Sequence, residues 1–171
     1  MTEKIFTATS SGRFSGDGLD FACTIGRGGM VPAAQKREGD GASPIGVWRM
    51  KRVFYRADRL ERPETELPVV PLKPIDGWCD AADHPLCNRP VTLPFAASHE
   101  QLWREDHAYD LIVELAHNDA PVVAGLGSAI FFHLAHDDGR ATAGCVAVSL
   151  ENMLEVLKRA TAHSALEIID L

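Results

Sequence analysis

Nowhere among the 171 residues do eighteen apolar residues run together, so no helix of this chain is expected to span a bilayer. The opening MTEKIFTATSSGRF lacks an apolar core and a small-residue cleavage site. It alternates like a strand, so neither a signal peptide nor a membrane anchor is expected. Positive charge is in the minority, with 17 Lys and Arg against 24 Asp and Glu and a net charge of −7. That balance argues against nucleic-acid or membrane partners. Internal repeats and low-complexity segments are absent. Only four cysteines occur, Cys23, Cys79, Cys87 and Cys145, and without an export signal they read as reduced thiols. A cytoplasmic protein is expected, or a periplasmic one were the sequence a trimmed form of an exported chain.

What is present suits a single domain over residues 1–171. A chain of this length buries roughly 70% of the surface its unfolded form exposes, so it needs neither disulfide nor metal to fold. Ten prolines and fourteen glycines punctuate short segments. Strands are expected at 4–9, 19–25, 47–55, 109–115, 129–134 and 166–171, from alternation or continuous apolar runs. Residues 57–97 carry seven prolines and little periodicity. They read as a long excursion over the surface, of a length that is usually functional. Ser98 is placed to cap a short helix, SHEQLWREDH, and Ser149 a second. In the latter Leu150, Met153, Leu154 and Leu157 share one face, and Lys158 and Arg159 fall in the last turn, where the helix dipole favours cations. The expected fold is mostly β (α+β), with two peripheral helices.

The chemistry-bearing stretch is TAGCVAVS, residues 142–149. A cysteine is a nucleophile only as thiolate, which needs a base, a positive environment or a helix N-terminus. Gly144 lets the backbone turn tightly and leaves the Gly144 and Cys145 N–H groups available as oxyanion donors. The plainer reading is a packed core cysteine. His133 ends the apolar run AIFFH, and the polar loop LAHDDGRATAG can fold back to bring its imidazole beside Cys145. A low-pKa thiolate–imidazolium pair would follow; the alternative is a strand-end histidine in water. CDAADHPLC gathers Cys79, His84 and Cys87, but with spacings unlike a zinc ribbon or finger and no evident fourth ligand.

Several separated stretches then agree with one family. KREGDGASPIGVW (36–48) resembles the Gly-Thr/Ser-Pro-x-Gly segment of L,D-transpeptidases with the YkuD-like fold. GSAIFFH (127–133) and TAGCVAVS resemble that family's catalytic histidine and its Ser/Thr-x-Gly-Cys signature. DGWCDAADHPLCNRPV (76–91) and YDLIVELAHN (109–118) fall in the same order. The resemblance implies a YkuD-like β-sandwich or barrel and a cysteine acyl transferase acting on peptidoglycan tetrapeptide stems. Its thiolate would cleave the bond between diaminopimelate and D-alanine through a thioester, with no cofactor and no metal.

Carried over by position, Cys145 is the nucleophile and His133 the base. The Leu134 carbonyl orients the imidazole, Gly144 and Cys145 donate to the oxyanion, and Thr142 lines the same loop. Ala143 stands where the family often has a second histidine, and Val146 and Ala147 where an arginine often follows. Arg140 is then the candidate for gripping a substrate carboxylate, with Asn118 and Trp78 as cleft-wall residues. Cytoplasmic placement favours water as acyl acceptor, making an L,D-carboxypeptidase of muropeptide recycling. The alternatives are a transpeptidase forming 3-3 cross-links or exchanging D-amino acids in the periplasm, and a non-catalytic cell-wall peptide-binding module. Carbapenem-type inhibitors are possible partners.

Overall fold

A computed structural model describes residues 3–171. It carries thirteen strands and one α-helix: β1 (Lys4–Thr9), β2 (Arg13–Gly16), β3 (Leu19–Ala22), β4 (Met30–Pro32), β5 (Ser43–Tyr55), β6 (Val69–Pro71), β7 (Asp76–Cys79), β8 (Pro90–Thr92), β9 (His99–Gln101), β10 (Leu111–Leu115), β11 (Phe131–Leu134), β12 (Val146–Val148), α1 (Leu150–Arg159) and β13 (Ser164–Ile169). Met1 and Thr2, at the head of the opening segment, lie outside the described residues.

Ten strands form one sheet in the order β12-β11-β10-β5-β13-β1-β2-β3, with β4 and β6 paired to β5 off that path. The thirteen-residue β5 is the spine, because its two halves pair with β13 and β10 in turn. Just beyond β3, Thr24 bridges Ala147 of β12 through two backbone bonds of 2.8 and 2.9 Å. The two ends of the sheet thus meet, and the sheet is nearly a closed barrel, which removes most of its exposed edge.

Alternation along β11 and β12 divides the interior in two. Phe132, Leu134, Val146 and Val148 face the main core with Phe6, Phe14 and the buried residues of α1. The Phe14 and Phe132 rings stack 5.3 Å apart there. α1 forms where its sequence predicts, with Ser149 Oγ accepting from the Asn152 N–H and Lys158 and Arg159 in the last turn, but the buried face is Met153, Val156 and Leu157, with Leu154 partly buried and Leu150 exposed. Phe131 and Cys145 point to the other side, into a second cluster with Trp78, Leu102, Tyr109 and Ile112.

The second expected helix does not exist. His99–Gln101 is a strand, β9, pairing with β7 at Cys79↔His99, Trp78↔Glu100 and Gly77↔Gln101. Ser98 caps nothing; its carbonyl accepts from the Asp80 N–H. An exposed backbone edge on β7 offered this segment a complete set of partners, and that outweighed a modest local helix preference. Residues 57–97 are likewise more than a surface excursion. They carry β6, β7 and β8, and Leu67, Leu72, Trp78, Cys79 and Cys87 are buried. The three-stranded sheet β8-β7-β9 covers the second cluster.

Candidate active site

β11 and β12 are parallel neighbours with His133 opposite Ala147 and Phe132 opposite Val146. Cys145 precedes Ala147 by two residues, so it shares the face that His133 occupies. Strand spacing of about 4.8 Å and a rise of about 3.3 Å per residue put the two on a diagonal roughly 8 Å apart at Cα, within reach of two side chains leaning together. Both side chains line one cavity of about 170 Å³, with Thr142, Tyr109, Arg104 and Glu100 among its other walls. Each is buried, Cys145 at 6% exposure and His133 at 3%. The long loop after β11, read in the sequence as a fold-back, does bring them to one place.

The imidazole is oriented as expected. His133 Nδ1 lies 2.8 Å from the Leu134 carbonyl oxygen. A carbonyl only accepts, so Nδ1 carries the hydrogen and Nε2 keeps a lone pair. Tyr109 packs edge-on against the ring at 5.2 Å. Burial pushes the His133 pKa down to about 4, opposed by the bond to Leu134 and aided by the charges of His136 and Arg104.

The thiol departs from expectation. Cys145 Sγ donates to the Ala129 carbonyl (3.2 Å) and accepts from the Phe131 N–H (3.3 Å). Burial, then the neighbouring Glu100 charge, pushes its pKa up to about 12. The resting pair is therefore neutral thiol and neutral imidazole rather than a low-pKa ion pair, because a closed, desolvated pocket penalises both charged forms. Such a pair can act as a nucleophile only where proton transfer accompanies attack, as general-base catalysis does for a serine.

The nucleophile loop is braced by one side chain. Thr142 Oγ1 donates to the Cys145 carbonyl (2.6 Å) and accepts from the Gly144 N–H (3.2 Å). The Gly144 donor is thus engaged in the resting loop rather than free. Glycine is required at 144 on two counts: φ is +131°, and a Cβ would sit 2.8 Å from the Ala42 carbonyl oxygen.

Three sequence candidates lie elsewhere. Arg140 is exposed, pairs with Asp138 at 2.9 Å, and lines a neighbouring groove with His107 and His136 rather than the Cys145 cavity. Asn118 sits at φ +47° and ties its own loop through Val123 and Gly127. Trp78 is buried behind the cavity, edge-on to Phe131 at 5.0 Å, so it supports the strand whose N–H holds the thiol. Cys79, His84 and Cys87 do not form a ligand set: His84 Nδ1 accepts from the Leu86 N–H. Among the described residues no three His, Cys, Asp or Glu side chains converge on a metal position.

Sequence reasoning passed over several residues. Lys36, Glu38, Glu100, Arg104 and Tyr109 line the cavity, and Tyr109 donates to Glu100 at 2.7 Å. Burial raises the Glu38 and Glu100 pKa values, and for Glu100 the Asp80 charge adds to it. Asn88 is the structural keystone. It accepts from Trp78 Nε1 (2.9 Å) and the Ala129 N–H (3.0 Å), and donates to the carbonyls of His117 (3.0 Å) and Asn118 (2.8 Å). Its φ of +55° is a left-handed conformation that asparagine adopts more readily than most residues. Asn88→Ala is expected to cost roughly 3 kcal/mol, since three buried groups and one half-buried carbonyl lose their partner at once. Urea unfolding would measure it, and a loss under about 0.5 kcal/mol would remove Asn88 from this role.

The L,D-transpeptidase catalytic domain (YkuD) family model matches residues 7–168. Solved structures similar to this chain include L,D-transpeptidase 1 of Mycobacterium tuberculosis (14% identity, 98% of this chain and 62% of that one, TM-score 0.44). The helical cell shape determining protein Pgp2 of Campylobacter jejuni is also similar (13%, 97% and 46%, TM-score 0.47). So is an L,D-transpeptidase of Mycobacterium smegmatis (11%, 97% and 58%, TM-score 0.43). This chain therefore spans less than two thirds of the length of each. No curated protein matches the sequence. With the cysteine, histidine and glycine of the signature gathered on one sheet face inside the matched span, the chain belongs to the YkuD L,D-transpeptidase catalytic domain family.

Proposed function

We propose that this protein is a cytoplasmic L,D-carboxypeptidase that trims D-alanine from peptidoglycan tetrapeptides. The observation that carries the reading is that Cys145 and His133, whose Nδ1 is tied to the Leu134 carbonyl, line the wall of one small cavity.

The chemistry runs in two halves. His133 Nε2 takes the Cys145 proton as sulfur attacks the carbonyl of the third residue. Cys145 N–H, joined by Gly144 N–H once it releases Thr142, donates to the oxyanion. The imidazolium then gives its proton to the departing D-alanine amine, leaving a thioester. Water attacks that thioester while His133 takes a proton. Collapse expels sulfur, which is reprotonated, and releases the tripeptide.

Water is favoured as acceptor because the cavity that holds both side chains is small, about 170 Å³. Incubation of the protein with disaccharide-tetrapeptide, followed by mass spectrometry, tests this. Tripeptide and free D-alanine are the expected products. Dimers or exchanged D-amino acids without tripeptide would replace this reading by transpeptidation. The same thiol is the expected site of carbapenem acylation.

A further inference from the structure

We infer that Arg27 seats a carboxylate of the donor peptide in the Cys145 cavity and so selects stems whose last residue is free. The identity of the peptide rests on the proposed function; the carboxylate itself follows from the charges in the cavity.

Three cations line that cavity: Arg27, Lys36 and Arg104. Two are already occupied. Lys36 pairs with Asp40 and also donates to the Arg37 carbonyl, and Arg104 binds Asp106 through Nε at 2.9 Å. Among the described residues, no carboxylate oxygen lies within 4 Å of the Arg27 guanidinium, and no hydrogen bond uses its side chain. Glu38 and Glu100, on the same walls, bind only hydroxyls, those of Ser128 and Tyr109. An entering anion is repelled by both and meets one uncommitted cation, so the cavity orients it toward Arg27.

Arg27 is exposed, and its side chain packs along the glycine-rich loop at the cavity mouth. Its stem and guanidinium lie over Gly41, where a Cβ would stand 3.1 Å from Cγ and Nε and 3.2 Å from Cζ. Gly41 has φ +68°, so glycine there serves both the turn and the slot. The Arg27 N–H donates to the Thr142 carbonyl at 2.8 Å, which couples the residue to the nucleophile loop. Flanking Gly26 permits the close approach: its Cβ would sit 2.3 Å from the Gly41 carbonyl and 3.0 Å from Gly144 Cα. A planar guanidinium delivered in this way matches a carboxylate in a bidentate fork.

Two carboxylates could use it: the terminal one, one residue beyond the scissile bond, and that of a third-residue side chain. Calorimetry with the Cys145→Ala protein, with and without Arg27→Gln, separates them. The peptides are the diaminopimelate tetrapeptide, its C-terminal carboxamide, and the same tetrapeptide with lysine third. The free acid is expected to bind about 10- to 100-fold tighter than the carboxamide, the worth of one charge-assisted pair, and Arg27→Gln should erase that gap. Arg27→Lys should keep part of it. If Arg27→Gln instead erases a gap between the diaminopimelate and lysine peptides, the seated carboxylate is that of the third residue and the selection for a free last residue is overturned. Equal affinities for all three peptides with and without Arg27, or no binding to either protein, overturn the inference. Hydrolysis by the Cys145-intact pair distinguishes the two failures. Tetrapeptide cleavage with an acid-to-amide ratio unmoved by Arg27→Gln sinks Arg27 alone. Arg27-dependent binding without any cleavage sinks the carboxypeptidase reading alone.

Discussion

Cys145→Ala is expected to lower tripeptide release by at least about 10⁴-fold while the protein stays folded. Among the described residues Cys145 is the one cysteine that lines this cavity, and removal of its sulfur leaves the Ala129 carbonyl and Phe131 N–H without one weak sulfur partner each. Activity on tetrapeptide and the mass of any acyl-enzyme would be read side by side. A carbapenem should add its mass to the parent protein and not to the variant. Unchanged hydrolysis would return Cys145 to the role of a packed core residue, and absence of activity in both proteins would favour a binding module. The resting thiol bears on the choice of probe. With its pKa pushed up to about 12 by burial, Cys145 in the free protein should react slowly with iodoacetamide at pH 7. Its labelling should rise steeply with pH, with no plateau below about 10.

His133→Gln is expected to cost about 10³- to 10⁴-fold in kcat/KM, because it removes the buried imidazole that the Leu134 carbonyl orients, while His136 on the same wall has no such tie. The parent enzyme supplies a sharper readout through pH. The imidazole works when neutral, and burial holds its pKa down to about 4, below the ordinary value of 6.5. Activity should therefore persist as pH falls through 6.5 and disappear only as it falls through about 4. An acid limb of kcat/KM near 6.5 would mean that the base titrates in water, and the closed cavity would not be the working site. The Gln variant should lose the limb along with the rate.

Much of the barrel was legible in local patterns. Alternation along Lys4–Thr9 and the basic-apolar alternation of Val47–Tyr55 are strands, and Ser149 with its apolar stripe is the helix. These readings need only one element and its own solvent boundary. The short strands escaped. β7, β8 and β9 hold three or four residues each, too few to show a period, and they exist because each supplies the others' backbone partners. That is also why a helix was expected at Ser98: the competing edge of β7 lies twenty residues away in sequence.

The candidate site divides along the same line. Sequence placed the thiol and the imidazole, because a glycine before a cysteine and a histidine closing an apolar run are local facts. It could not find Arg27 or Asn88. An arginine among glycines looks like any loop arginine until its partners are counted, and Arg140, which looked equivalent, turns out to be paired with Asp138. Nor could it anticipate the protonation state of the pair, since a pKa depends on how much water remains.

By itself the sequence determined which atoms are available for chemistry, the order of the main strands and the family to which they belong. Only the tertiary structure decided which charges remain unpaired, which carbonyl holds the imidazole, and that the thiol rests neutral. Those properties follow from desolvation and from distances between residues far apart in the chain, and neither quantity exists before the barrel closes.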